Sequence, residues 1–155
     1  LLIWKAKEKT MKLNPDCIRD LMLFCEENTY IRASAVEKTF VASYHVLHID
    51  SMCMTEALRK YDVGELIYHV IQLSESGYLA TDFHFDPQTN FLHAELPRIY
   101  YVTPKGHEFI ASIGEKSRWE KTSKALHSFG SVSLAVIETI SKGVATAAIE
   151  QTLAQ

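Results

Sequence analysis

The sequence is poor in chain-breaking residues, with six glycines and four prolines among 155 positions, and it holds no repeat or low-complexity tract. Collagen-like, fibrous and disordered chains are excluded on that count, and one globular domain with a real core is expected. Cysteines number three, an odd count. Cys17 and Cys25 fall in one predicted helix, separated by roughly 12 Å of rise at about 1.5 Å per residue, which is too far to bridge. A disulfide-stapled secreted scaffold is therefore excluded, and reduced thiols in a cytoplasmic protein are expected. No apolar run reaches the roughly 18 residues of a membrane span, because Glu138, Lys142 and Glu150 interrupt the richest stretch. No membrane partner is expected. The opening LLIWKAKEKT sets its lysines after a short apolar start, the reverse of a signal peptide, so residues 1–10 read as an N-terminal extension.

Catalytic signatures are missing as well. There is no glycine-rich phosphate loop, no Gly-x-Ser-x-Gly and no His-Glu-x-x-His, and the adjacent Glu26 and Glu27 point different ways on a helix. The expectation is a non-enzymatic protein that needs no cofactor. Seven histidines invite a metal hypothesis, and His45, His48, Asp50 and Cys53 are residue types that zinc accepts. In an extended strand, however, His45 and His48 face opposite ways, and no Cys-x-x-Cys pair is present. His84 and His93, flanking a predicted turn, supply at most two ligands. No metal site is expected.

What is present is a series of well-punctuated elements. Asn14-Pro15-Asp16 starts a helix: Asn caps, Pro sets the first helical φ, and the acid faces the positive end of the dipole. Ile18, Leu21, Met22 and Cys25 then form one apolar stripe to about Glu27. Phe40 to Ile49 is rich in β-branched and aromatic residues and reads as a strand. Asp50 or Ser51 starts a short helix carrying Met54, Leu58 and Tyr61. Asp62-Val63-Gly64-Glu65 resembles a capping box and opens an amphipathic helix to about Ser76, striped by Leu66, Val70 and Leu73, with Gly77 as its exit. Leu79, Thr81, Phe83 and Phe85 alternate, Asp86 to Asn90 makes a turn, and Ile99 to Val102 returns. Two helices, a tight turn and a β-hairpin follow the order of a winged helix-turn-helix, whose second helix enters a DNA groove and whose hairpin is the wing.

The text from Glu65 to Leu79, with its Tyr68-His69 pair, leucine stripe and Gly-Tyr-Leu exit, is similar to the recognition-helix text of many bacterial winged-helix proteins. Thr103-Pro104-Lys105-Gly106-His107-Glu108-Phe109 resembles the Thr-x-x-Gly-x-x-Phe helix that follows the wing. Taken with Met11 to Asp20 and with Trp119, Lys121 and Thr122, the order from about Met11 to Leu153 resembles the bacterial and prophage family called domain of unknown function 2513. The resemblance implies an α+β fold, a winged helix-turn-helix with a β-hairpin wing and additional C-terminal helices, and it supplies no catalytic residues. A long insert from Thr29 to Ile49 departs from the simple pattern. The boundaries expected are residues 11–113 for the winged-helix domain and 114–155 for a C-terminal helical extension.

A DNA-binding transcriptional regulator is the first functional expectation, and the distribution of charge bears on it. The net charge is -3. Residues 13–103 carry six basic and thirteen acidic residues, and the Asp62 to Ser76 helix has Asp62, Glu65 and Glu75 with no Lys or Arg. Candidate DNA contacts are Tyr68, His69 and Gln72 in the groove, with Lys105, Lys121 and Lys124 on phosphate. The alternative is a winged helix used as a protein-protein interaction module. The last helix, from about Ser131 or Ser133, has a wide apolar face and small residues. Val136, Ile137, Ile140, Val144 and Ala148 are therefore candidate homo-oligomer contacts.

Overall fold

The computed structural model describes residues 11–83, 85–89, 91–92 and 98–155. The predicted extension, residues 1–10, and the His84/His93 pair lie outside the described residues. Helix α1 (Pro15–Asn28) starts where Asn14 caps it, the Asn14 side chain accepting from the backbone of Asp16 and Cys17. It buries Cys17, Ile18, Leu21, Met22 and Cys25. Thr29 stops it by donating its hydroxyl to the Cys25 carbonyl at 2.6 Å, an alternative to a further helical turn.

Two antiparallel strands follow, β1 (Tyr30–Val36) and β2 (Thr39–His45), joined by Glu37-Lys38. They project from the body, exposed almost throughout. The predicted strand from Phe40 to Ile49 is thus divided: β2 ends at His45, β3 (Leu47–His48) joins another sheet, and Ile49 already belongs to helix α2 (Ile49–Met52). That helix is shorter than expected. The Thr55 hydroxyl takes the Met52 carbonyl, and the next amides bond three residues back, so the chain leaves the helix in turns. Met54 consequently lies 80% exposed, whereas Leu58 is buried.

Helix α3 (Val63–Glu75) begins as predicted, with Asp62 accepting from the Glu65 amide. The reciprocal half of the capping box is replaced, for the Glu65 carboxylate accepts instead from Asn14 Nδ2 at 2.9 Å. Gly77 has φ +83, the left-handed conformation that glycine reaches without strain. The chain then enters β4 (Leu79–Thr81), passes β5 (Phe85–Asp86) and β6 (Phe91–Leu92), and returns as β7 (Arg98–Val102). The central sheet has the order β3-β7-β4, all antiparallel. β4 ends earlier than the alternation from Leu79 to Phe85 predicts. A register shift falls at Ala80/Thr81, and Asp82 turns its carboxylate onto the Arg98 backbone and guanidinium. The Asp86 carboxylate closes the turn at the tip by accepting from Gln88 and Thr89.

Three helices complete the chain: α4 (Pro104–Ile113), α5 (Lys116–Leu126) and α6 (Leu134–Leu153), capped by Thr103, Glu115 and Ser133. Phe109, Ile110, Ile113, Trp119, Leu126, Leu134 and Ile137 join the α1, α3 and sheet residues in a single core. The α+β class expected from the sequence is the class observed. None of the helices is long and apolar enough to cross a membrane among the described residues.

Candidate functional site

Helix α3 is held by its inner stripe, Leu66, His69, Val70 and Leu73, all buried. The opposite stripe carries Gly64, Tyr68, Ile71, Gln72 and Glu75, following the i, i+4, i+7, i+8 and i+11 spacing of one helical face. Tyr68 and Gln72 are half-buried and Glu75 is exposed. The face is thus aromatic, amide and acidic, with no cation on it.

His69 is corrected by the structure. The sequence places it in a DNA groove, but its side chain is fully buried. Nε2 accepts the Asn14 backbone N–H at 2.8 Å and Nδ1 lies 2.7 Å from the Glu65 carbonyl, so the ring is an internal latch between α1 and α3. The heptad-like spacing of Leu66, His69, Val70 and Leu73 carried that signal already.

The three candidate phosphate contacts do not share an environment. Lys105 stands at the α4 N-terminus, where Nζ donates to the Ser76 carbonyl at 3.0 Å and lies 4.6 Å from the Tyr78 ring centroid. It closes the C-terminal end of α3, a position that also suits the helix dipole. Lys121 and Lys124 are exposed on α5, one turn apart, with no ion pair among the described residues. In β7, Arg98 is engaged with Asp82 at 2.7 Å. Burial alone would push the Asp82 carboxyl up, yet the Arg98 hydrogen bonds outweigh it and hold the carboxyl below its usual range.

Between α1, the segment before α3 and α5 lies a polar cleft containing Asp16, Asp20, Lys60, Tyr61, Lys116 and Glu120. Its groups largely satisfy one another: Asp16 accepts from Trp119 Nε1 at 3.0 Å, and Asp20 from Tyr61 and Lys60, both at 2.7 Å. Burial and the Asp20 hydrogen bond push the Tyr61 phenol well above its ordinary value. Cys17 and Cys25 are buried, and burial pushes the Cys25 thiol up to about 12. His45 stacks on Tyr30 at 4.5 Å, while His48 sits in β3. Among the described residues no three metal-ligating side chains cluster.

The α6 candidates divide along the helix. Ile137 is fully buried and belongs to the core under α4 and α5, which corrects its assignment to an intermolecular contact. Val136 and Ile140 pack partly on that core, and Val144 and Ala148 are half-exposed farther along. The reason is the close approach of α6 to α4, where the small buried Ser112 and Ser141 meet with their hydroxyls 3.0 Å apart.

The sequence reading missed the apolar face of the β1–β2 hairpin. Ile31, Ala33 and Ala35 share a face with Phe40, Ala42 and Tyr44, and the pattern YIRASAV-EK-TFVASYH carries that alternation in plain sight. Tyr44 stacks on Tyr101 of β7 at 4.9 Å, tying the base of the hairpin to the body.

No curated protein and no solved structure matches the chain. A family model described as hypothetical protein (DUF2513) matches residues 12–133. That span runs from the Asn14 cap through the hairpin, α3, the central sheet, α4 and α5 to the cap of α6, so the chain belongs to the DUF2513 family.

Proposed function

We propose that this chain is a non-enzymatic winged-helix module that docks protein through the outer face of α3. Support for the winged-helix reading is the element order α1, β3, α2, α3, β4, wing (β5–β6), β7 around a three-stranded antiparallel sheet, with the β1–β2 hairpin inserted between α1 and β3. The observation that favours a protein partner over DNA is the α3 face itself. Tyr68, Ile71, Gln72 and Glu75 offer aromatic, apolar and acidic chemistry, and Asp62 and Glu65 add negative charge at the helix start. Phosphate attraction supplies most non-specific DNA affinity, and here it would be repulsion. The buried cysteines, Cys17 and Cys25, suit a reducing compartment such as the cytoplasm.

The test is fluorescence anisotropy of the full chain against a random duplex and the duplex upstream of its own gene. At about 50 mM salt, protein docking predicts no saturable binding below roughly 100 µM, the weak end of non-specific affinity. A photo-crosslinking residue replacing Gln72 in the native host should give a protein adduct that Glu75→Lys removes. Saturable duplex binding that collapses between about 50 and about 200 mM salt would overturn this reading.

One observation favours the second reading, a DNA-binding transcriptional regulator: Lys121 and Lys124 are exposed on α5 with no ion pair among the described residues. There, replacing both with alanine weakens binding and flattens its salt dependence.

A further inference from the structure

The β1–β2 hairpin leaves its own apolar face open except at its base, where Tyr44 stacks on Tyr101. Ile31 is 60% exposed, Phe40 84% and Tyr44 48%, and between them lie exposed Ala33, Ala35 and Ala42. An isolated two-stranded ribbon is marginal in water, and a third or fourth strand is the usual remedy. Among the described residues the hairpin forms a sheet of its two strands only, so the outer edge of β2 pairs with no strand.

The hydrogen-bonding direction of that edge follows from the register. Glu37-Lys38 is a two-residue connection closed by Val36 and Thr39. In such a turn the closing pair bonds inward, and so does every second pair behind it. Phe40, Ala42 and Tyr44 therefore direct their N–H and C=O groups away from β1. Edge strands are ordinarily protected by charge, proline or a bulge, and β2, TFVASYH, has none of these. β1 has Arg32 on its strand and is the better defended edge.

We propose that β2 pairs with β2 of a second copy of this chain, antiparallel about a two-fold axis at Ala42. This register is self-complementary. Ala42 faces its own symmetry mate, Phe40 faces Tyr44 of the other copy twice, and Val41 faces Ser43. Each of these pairs sits on the correct face, because directly opposed residues in an antiparallel ladder share a side. No charge meets a like charge, and aromatic cross-strand pairs are among the favourable ones. The outward groups of Phe40, Ala42 and Tyr44 all find partners. The product is a four-stranded sheet whose apolar faces join into one surface about 23 Å by 19 Å, from roughly 3.3 Å per residue and 4.8 Å per strand. Edge pairing buries less than the roughly 1,200 Å² of a stable complex, so the dimer is a reversible, concentration-dependent one. This interface is separate from the α3 face and stands or falls independently of it.

The experiment is analytical ultracentrifugation of the full chain up to about 200 µM, with Ala42→Lys, Ala42→Glu and their equimolar mixture. Position 42 is exposed and remote from the core, so thermal unfolding of the variants serves as a check that the body is intact. The expected result is a wild-type dimer, roughly tenfold or more weaker association for either variant alone through like-charge opposition, and recovery in the mixture. A monomeric wild type, an Ala42→Lys protein that dimerises unchanged, for example through α6, or a mixture that stays monomeric would each overturn the proposal.

Discussion

His69 Nε2 accepts the backbone N–H of Asn14 at 2.8 Å while Nδ1 faces the Glu65 carbonyl at 2.7 Å, which assigns a neutral imidazole with its proton on Nδ1. The ring fixes the first residue before α1 against the first turns of α3, and Asn14 Nδ2 adds a second tie to Glu65. Replacement His69→Leu keeps the volume roughly and removes the acceptor, stranding a buried donor. The expected loss is about 1–3 kcal/mol in urea unfolding, the cost of an unsatisfied buried group. Tyr68→Ala, whose hydroxyl makes only a long, exposed contact to the Met11 carbonyl at 3.4 Å, should lose less. An unchanged stability of His69→Leu would show that His69 acts through volume alone.

Gly106 in α4 lies so close to the sheet that a Cβ there would stand 2.2 Å from the Tyr78 carbonyl oxygen and 2.7 Å from Val102 Cγ1. Backbone at that distance has to move. Gly106→Ala should therefore destabilise by about 1–3 kcal/mol, as overpacking does, although alanine is the better helix former. Gly143→Ala in α6, where a Cβ meets nothing within 4 Å, should stabilise by several tenths of a kcal/mol to about 1 kcal/mol. Thermal unfolding of the two variants gives opposite signs if the close approach, and not the glycine itself, decides.

The helix starts were legible because their signals are local: Asn14-Pro15, Asp62, Thr103-Pro104 and Ser133 all cap as their residue types dictate. The position of β1 was not. Ala33, Ser34 and Ala35 have weak strand propensity, and pairing with Phe40, Ala42 and Tyr44, a long way round a turn, is what makes them a strand. His69 was misassigned although it falls at i+3 in the stripe of Leu66, Val70 and Leu73, because its polar ring was read as a surface group. Ile137 was misassigned because the apolar residues of α6 span more than one stripe, so spacing alone did not say which side met the core. The α3 charge pattern needed no structure, whereas the engagement of Lys105 and Arg98 by Ser76 and Asp82 did.

Glu37 turns the hairpin with φ +56, the left-handed region that costs a residue with a side chain roughly 1 kcal/mol or more. Glu37→Gly should relieve that strain. Because the hairpin is exposed and separate from the core sheet, the gain belongs in local opening and not in the global transition. Amide exchange of inward-bonded residues such as Arg32, Ser34, Val41 and Ser43 is expected to slow several-fold while the melting temperature changes little. Unchanged exchange would show that the turn is already relaxed.

Glu138 receives two donors, Lys142 Nζ at 2.8 Å and the Tyr78 hydroxyl, and joins α6 to the sheet side of the core. The Lys142 hydrogen bond and then that of Tyr78 hold its carboxyl below the ordinary 4.5, against the opposing effect of burial. A carboxyl lowered on folding stabilises the native state above its unfolded value, and the contribution disappears as pH falls through the folded value. Full benefit is thus expected at about pH 6.5, with progressive loss below about pH 4.5. Glu138→Gln retains an acceptor for Tyr78 and removes the charge facing Lys142. Urea unfolding should therefore show the variant less stable at about pH 6.5, and the gap to wild type should shrink as pH falls below about 4.5 and the wild-type carboxyl takes up its proton. A gap independent of pH would mean that Glu138 matters for shape and hydrogen bonding, with its charge contributing nothing.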